Sequence, residues 1–436
     1  MTALAIRPRE RDAVIQSLRA GVVPRVGQQH IQVGRAEEVK ALIADLDRLA
    51  DGGSAIRFVI GEYGSGKTFF LYLIRSIAIE KKVVTVHADL TPDRRLHATG
   101  GQARAFYQEL IRNMSIRSKP EGGALASVVE RFVSSALDAA RERNVKPEGV
   151  IRERLASLSE MVNGYDFAQV IAAYWHGHDT GNEALKSDAV RWLRGEFSTK
   201  TDAKNSLGVR TIVDDANVYD QLKLLARFVR LAGFSGLLVC CDELVNLYKL
   251  ANTKARNANY EQILRILNDC LQGSADGLGF VMGGTPEFLM DTRKGLYSYQ
   301  ALQSRLAGNL FVKDGLVDYS GPVLRLANLS PEDMYVLLAK LRHVYASGQT
   351  DNYLVPDEGL KAFMLHCSQK IGDAYFRTPR NTVTAFINVL AVLEQNPGTS
   401  WQQLFNQVQL KPEANPDLQP LDDEEDSDDA LASIKL

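Results

Sequence analysis

Short apolar runs alternate with amphipathic stretches through the central part of the chain. Four of these runs predict buried strands: "AIRFVI", "KKVVTVHADL", "FSGLLVCCDE" and "GLGFVMGG". The last two each follow a stretch of helical period, "YDQLKLLARFVRLA" and "YEQILRILNDCLQ". Buried strands that alternate with helices are typical of a parallel sheet covered on both faces. We therefore predict an α/β fold.

Helical spacing dominates the rest of the chain. From about 100 to 207 it is too long for a simple crossover and predicts a helical insertion. From Leu329 onward no strand pattern remains, and Ser330 as N-cap with Pro331 at the first helical position begins a separate helical unit. The N-terminal stretch is also helical, with "GVVPRVGQQHIQVGR" as a connector.

These patterns divide the chain into four parts. We expect an N-terminal helical segment with its connector at 1–50 and an α/β unit at 51–320 that contains the insertion. A helical unit follows at 321–410, and a tail rich in Pro, Asp and Glu follows at 411–436. We expect the tail to be disordered.

Composition and charge permit several partners. At 436 residues, with 45% apolar and 24% charged residues, the chain can bury a large core. The net charge is −2, but the run "DDEEDSDD" at 422–429 holds seven negative charges, so the remainder carries +5. A mildly basic body with an acidic tail permits a nucleic-acid partner without requiring one.

The cysteines and the apolar segments indicate the compartment. Cys240, Cys241, Cys270 and Cys367 show no CxxC spacing, and the adjacent pair lies in an apolar run where buried thiols are expected. The N-terminus lacks the apolar core of a signal peptide, and no segment approaches the ~20 apolar residues of a membrane helix. We expect a reduced, cytoplasmic protein with no membrane span.

The stretch "GEYGSGKTFF" follows the first predicted strand and opens a helix. It matches the phosphate-binding pattern G-x-x-x-x-G-K-T, in which small residues let backbone amides turn toward a phosphate. The lysine reaches the β and γ oxygens of a nucleotide, and the threonine hydroxyl ligates Mg²⁺. The predicted ATP-contacting residues here are Gly61, Gly64, Ser65, Gly66, Lys67, Thr68 and Phe69.

A second half-site follows the third predicted strand. The run "LLVCCDE" ends in Asp242 and Glu243. In a nucleotide site Asp242 would hold Mg²⁺ and Glu243 would polarise the attacking water. Two acids in tandem favour hydrolysis over binding alone.

Together these patterns resemble the AAA+ ATPases, and among them the branch of the origin-recognition and Cdc6-like initiators. The resemblance runs from about Ile31 to Leu390 and implies a P-loop NTPase base with a C-terminal helical lid, binding ATP and Mg²⁺. It also implies that "VGR" at 33–35 contacts adenine, which assigns Gly34 and Arg35 to the nucleotide site. The stretch after the lid is too short for the winged helix usual in initiators, so we do not expect duplex binding through such a domain.

Three further residues receive roles only through this resemblance. Thr285, at the end of "GFVMGGTPEF", matches the polar sensor of the γ-phosphate, and Arg380 in "FRTPRN" matches the sensor arginine of the lid. Arg305 in "YQALQSRL" matches the arginine donated to a neighbouring subunit's ATP, which implies a homo-oligomer. Arg293 competes with Arg305 for that role.

The order of all these motifs is most similar to the BREX phage-defence ATP-binding proteins, the BrxD-like family. That resemblance implies a role in bacterial anti-phage defence beside helicase or nuclease partners, with DNA or partner proteins as the remodelled substrate. An adaptor or signalling switch that binds ATP with little turnover is the alternative.

Two basic stretches are candidate nucleic-acid contacts. The first, "LYKLANTKARNANYEQ", is predicted to be a polar, basic loop that follows Asp242 and Glu243 and could contact DNA phosphate, the γ-phosphate or a neighbouring subunit. The second surrounds two aromatic residues, Trp192 and Phe197, and its basic residues are Arg191, Arg194, Lys200, Lys204 and Arg210. Either stretch could instead be an ordinary solvated surface.

Overall fold

The computed structural model describes residues 5–312, 316–371 and 379–407. Its sheet has five parallel strands, ordered β2-β3-β4-β1-β5: β1 (Ala55–Ile60), β2 (Val83–Asp89), β3 (Gly236–Asp242), β4 (Leu278–Gly284) and β5 (Val323–Arg325). The predicted α/β class is confirmed, and the four predicted strands are β1 to β4. The short strand β5 was not predicted, because three residues show no periodicity.

Helices cover this sheet, and further helices follow its last strand in the chain. In chain order they are α1 (Pro8–Arg19), α2 (Ala36–Ala50), α3 (Lys67–Glu80), α4 (Gln102–Arg112), α5 (Leu125–Arg143), α6 (Pro147–Ser159), α7 (Gly164–Thr180), α8 (Glu183–Leu193), α9 (Lys200–Leu207), α10 (Val218–Leu231), α11 (Val245–Tyr248), α12 (Thr253–Gln272), α13 (Pro286–Met290), α14 (Gln300–Leu306), α15 (Pro331–Tyr345), α16 (Asp357–Ile371), α17 (Pro379–Gln395) and α18 (Trp401–Gln407). Single 3₁₀ turns occur at Gln28–His30, Leu296–Ser298 and Thr350–Asn352.

The sheet buries both of its faces. Side chains of a strand alternate between faces, so Phe58 and Ile60 of β1 join one core while Val59 joins the other. The first core takes in helices α4 to α10, which include the predicted insertion. The second core lies against α2 and α3. Two covered faces hold the strand ends rigidly at one edge.

A third core lies in the C-terminal helices, which we call the lid. Phe363, Phe386 and Phe405 are fully or almost fully buried in it. The first helix shares this core through Val14, and Arg11 donates a hydrogen bond of 2.8 Å to the carbonyl of Tyr345. The N-terminal helix therefore packs on the lid, although α2 and the whole base lie between them in the sequence.

Two further predictions, the cap of α15 and the burial of the cysteines, are confirmed within the described residues. Ser330 caps α15 as predicted, since its hydroxyl accepts a 3.1 Å hydrogen bond from the amide of Asp333. All four cysteines are buried. A search of the described helices finds none with the length and apolar character to cross a membrane. The predicted acidic tail, 411–436, lies outside the described residues.

Candidate functional site

The glycine loop joins β1 to α3 and needs its small residues. Gly64 and Gly66 have left-handed φ angles of 73° and 85°, which a side chain would strain. A Cβ on Gly61 would lie 2.5 Å from the hydroxyl of Ser65. Ser65 is 2% exposed, and its hydroxyl has no hydrogen-bond partner among the described residues. A buried unpaired hydroxyl is costly, and an oxygen of a bound phosphate would satisfy it.

The first turn of α3 carries the predicted phosphate and metal residues. The ammonium of Lys67 donates to the carbonyls of Gly61 and Glu62 at 2.9 and 3.0 Å, so it lies over the loop. The hydroxyl of Thr68 donates to Oδ2 of Asp242 at 2.7 Å. A hydroxyl and a carboxylate oxygen at this distance are hard oxygen ligands of the kind that Mg²⁺ prefers. The structure brings these two predicted metal residues together.

Glu243 follows Asp242 with an unusual backbone. Its φ is 60°, and its amide donates to Oδ1 of Asp242 at 2.9 Å. Left-handed conformation costs a non-glycine residue about 1 kcal/mol or more and concentrates at functional sites. Arg35, with φ of 59°, is the second left-handed non-glycine residue that lines the same cavity. Both predicted site residues are thus held in strained positions around it.

Thr285 directly follows the adjacent strand β4. Its side chain is 2% exposed and lines the cavity. The hydroxyl accepts a weak 3.4 Å hydrogen bond from the amide of Phe288 and so caps α13. The cap holds this oxygen at the sheet edge beside Asp242 and Glu243.

Asp89 lies beside the acids of β3 and was not predicted. The register of β2 with β3 pairs it with Asp242, and both residues line a small pocket with Thr68. Burial, then the nearby Asp242 carboxylate, raise the pKa of Asp89. In the same pocket burial lowers the pKa of His87 to about 3, so this imidazole is neutral at physiological pH. The sequence contained a signal for Asp89, because the predicted strands β2 and β3 both end in an acid and so place both acids at one edge of the sheet.

Of the two connector residues predicted to contact adenine, Arg35 lines the cavity and Gly34 does not. The guanidinium of Arg35 donates through Nη2 to the carbonyl of Ser65, while its buried Nε has no partner among the described residues. Gly34 is not among the lining residues, and a Cβ there would lie 3.2 Å from the carboxylate oxygens of Asp333 in the lid. Arg35 therefore contacts the glycine loop, and Gly34 packs against the lid.

The lid contributes Arg380 and an apolar wall. Arg380, in the first turn of α17, lines the cavity and donates from Nη1 to the hydroxyl of Tyr63 at 3.0 Å. Phe69 of α3 also lines the cavity and packs on the lid core. The open space of the cavity is about 1180 Å³. Apart from Thr384 of α17, most of the remaining wall on this side is apolar: α1 and the connector contribute Leu18, Val22, Val23, Pro24, Ile31 and Val33, and the C-terminal part of the chain contributes Leu329, Leu337 and Val383.

Both candidates for the arginine donated in trans lie outside this cavity. Arg305 donates from Nε to Asn268 and from Nη1 to the carbonyl of Ala301, each at 2.8 Å, on the surface of α14. The side chain of Arg293 is 90% exposed and lies 3.9 Å from Asp291. Neither reaches the Thr68–Asp242 pair of its own chain.

The two basic stretches differ from their predicted form. The prediction of a loop for the first stretch is wrong, because Asn252 caps α12 and the stretch is helical from Thr253. Arg256 within it is 6% exposed and donates to the carbonyl of Leu250 at 2.7 Å. In the second stretch the two aromatic residues, Trp192 and Phe197, are core residues at 1% and 4% exposure. These aromatic rings are therefore not available for stacking on bases.

The geometry defines the class of protein. Glycines cradle an anion site at a helix N-terminus, a lysine lies over that site, and a hydroxyl–carboxylate pair stands beside it, all at the carboxyl edge of a parallel sheet. The protein has the α/β fold of the P-loop NTPases, and these residues fit a nucleoside triphosphate with Mg²⁺.

Comparison with known families identifies the group more closely. The chain belongs to the family described as BREX system ATP-binding protein BrxC/D, whose model matches residues 6–409. No curated protein matches the chain. The resemblance to BREX ATP-binding proteins is confirmed, and ATP is the ligand of the family. Mg²⁺, hydrolysis and the role of each site residue remain predictions.

Proposed function

We propose that the chain is a Mg²⁺-dependent ATPase of AAA+-like type, with ATP between the α/β base and the lid. The observation that supports this best is the 2.7 Å contact between the Thr68 hydroxyl and Oδ2 of Asp242, directly beside the glycine loop. We further propose that the lid comprises α1 together with the C-terminal helices, because they share one core.

Binding uses the residues of the loop and the first turn of α3. The backbone amides from Gly64 to Thr68 face the β-phosphate, and the Ser65 hydroxyl gains an acceptor. Lys67 leaves the carbonyls of Gly61 and Glu62 and donates to the β and γ oxygens. Thr68 and Asp242 hold Mg²⁺, which when bound would neutralise charge that develops between these phosphates.

Hydrolysis uses the second acid. The Glu243 carboxylate orients a water molecule and accepts its proton as the water oxygen bonds to the γ-phosphorus. The bond from that phosphorus to the β–γ bridging oxygen breaks, and ADP leaves with the electron pair. Asp89, paired with Asp242 in the sheet register, adds negative charge that favours a metal ion here.

The γ-phosphate links the base to the lid. Thr285 and Arg380 contact it from opposite sides of the cavity, and Arg305 completes the site of a neighbouring copy in a homo-oligomer. When the γ-phosphate leaves, the contact with Arg380 is lost and the lid moves against the base. We propose that this motion acts on DNA or on helicase or nuclease partner proteins during phage defence.

Calorimetric titration with Mg-ATP tests the binding step. We expect Lys67→Ala to weaken ATP binding on the order of a hundredfold, because two charge-assisted hydrogen bonds to phosphate are lost. The matched control is Lys361→Ala, an exposed lysine of α16, which should bind as the wild type does. Binding that is unchanged in Lys67→Ala, or unchanged by removal of Mg²⁺ with EDTA, would exclude the proposed site.

Steady-state phosphate release tests the enzymatic step. We expect turnover in the wild-type protein, with stimulation by DNA if DNA is the remodelled substrate. Tight binding with negligible turnover under all conditions would identify the alternative, a nucleotide-gated switch.

A further inference from the structure

Tyr63 occupies a variable position of the glycine loop, where the phosphate-binding pattern requires no particular residue. It is partly buried and lines the cavity between base and lid. The aromatic ring is much larger than a tight turn needs. Its contacts therefore call for an explanation other than loop geometry.

Two contacts join Tyr63 to Arg380 of the lid. Nη1 of Arg380 donates to the Tyr63 hydroxyl at 3.0 Å. The guanidinium carbon also lies 5.5 Å from the centroid of the Tyr63 ring, within the range of a cation–π interaction. A hydrogen bond at the edge of the ring and a contact with its face together define both the position and the orientation of the guanidinium.

The aliphatic part of the Arg380 side chain also has a neighbour that restricts it. A Cβ on Gly21 would lie 3.7 Å from Cδ of Arg380, so the side chain passes over the connector that follows α1 before it reaches the loop. A long arginine side chain normally loses much rotamer freedom when it binds a ligand. Here part of that loss has occurred before any ligand is bound.

We propose that Tyr63 is a positioning residue that holds Arg380 beside the phosphate cradle and so strengthens ATP binding relative to ADP. The inference rests on the proposed function, in which Arg380 contacts the γ-phosphate. Because the glycine loop itself carries Tyr63, the lid arginine is aligned with the element that binds the phosphates. Preorganisation of this kind raises affinity without a new contact to the ligand.

A double-mutant cycle tests the proposal by calorimetry with Mg-ATP and Mg-ADP. The proteins are the wild type, Tyr63→Phe, Tyr63→Ala, Arg380→Ala and the double variant Tyr63→Ala/Arg380→Ala. We expect Tyr63→Ala to lower the preference for ATP over ADP by about three- to tenfold. Tyr63→Phe keeps the ring and should show a smaller loss. The double variant should show the same preference for ATP over ADP as Arg380→Ala, because Tyr63 acts only through Arg380.

Tyr165→Ala provides the matched control, since Tyr165 on α7 is 68% exposed; its ATP preference should equal that of the wild type. Three results would overturn the inference: an unchanged preference in Tyr63→Ala when Arg380→Ala loses it, a raised ATP affinity in Tyr63→Ala, or additive losses in the double variant. If Arg380→Ala itself keeps the full preference, the proposed sensor role fails, whatever Tyr63 does.

Discussion

The base and the lid line opposite sides of one cavity, and they hold their polar groups differently. On the base side Thr68 lies in the first turn of α3, Asp242 ends β3 and Thr285 follows β4, and each makes a hydrogen bond within the base. On the lid side most of the surface is apolar. Its polar side chains in the cavity are those of Thr384 and Arg380, and Arg380 reaches across to the glycine loop. The polar groups of the base are therefore positioned by the base itself, while the position of Arg380 relative to them depends on where the lid sits.

This difference explains how a change in the bound nucleotide could be transmitted to a partner as a movement of the lid. Strand ends between two packed layers are rigid, so the residues proposed to hold phosphate and metal would stay in place through the proposed cycle. The lid has its own core, so under the proposed function it would move as a unit when the contact of Arg380 with the γ-phosphate forms or breaks.

The largest expected effect comes from the base side. Glu243→Gln should retain ATP affinity and reduce turnover by about a thousandfold, because the amide cannot accept the proton of water. Phosphate release and calorimetry on the same preparation measure the two properties. Glu261→Gln, an exposed position on α12, is the control. Undiminished hydrolysis in Glu243→Gln would remove this residue from the mechanism.

A cavity in the lid core tests whether lid and base are separate units. Phe386 is fully buried, and its ring centroid lies 5.2 Å from that of Phe363. We expect Phe386→Ala to lower the free energy of unfolding of the lid by about 3 kcal/mol. Scanning calorimetry should then show a lid transition at lower temperature and an unshifted base transition.

Phe58→Ala, at a fully buried position of β1, should lower the temperature of the base transition and leave the lid transition unshifted. If either variant shifts one common transition for the whole chain, base and lid unfold together and the comparison fails.

The smallest expected effect concerns a base residue outside the cavity of its own chain. Arg305→Ala should lower turnover about tenfold, the value of one charge-assisted hydrogen bond, with ATP affinity nearly unchanged. Mixing it with Glu243→Gln subunits should restore part of the activity, because each variant supplies what the other lacks. Arg152→Ala, an exposed residue of α6, serves as the control. A fully active monomer would contradict the role of Arg305 between chains.

The base side of the cavity could be predicted from the sequence because its signals are local. The glycine loop is one continuous stretch, and the two acids follow an apolar strand, so each half could be recognised without the other. Their meeting at one edge follows from parallel strands. Asp89 was missed because it has no motif of its own, although it ends the neighbouring strand.

Apart from Arg380, which only the family resemblance assigned, the lid side of the cavity could not be predicted from the sequence, because its contacts join distant parts of the chain. Thr384 donates to the carbonyl of Leu18, 366 positions away, at 2.9 Å, and no local pattern indicates such a pairing. The connector was predicted to contact the nucleotide only at Gly34 and Arg35, whereas Val22, Val23 and Pro24 also form part of the cavity wall. The contact between Arg35 and the Ser65 carbonyl also depends on tertiary packing.

The attachment of α1 to the lid has a practical consequence. Anything fused or docked to the start of the chain, whether a fluorescent reporter or another polypeptide, would be carried by the same rigid unit as Arg380. If the proposed lid motion takes place, a dye near Pro8 and a second dye on the insertion would change their separation with each round of ATP hydrolysis, which would give an optical reading of the cycle from the first helix of the chain.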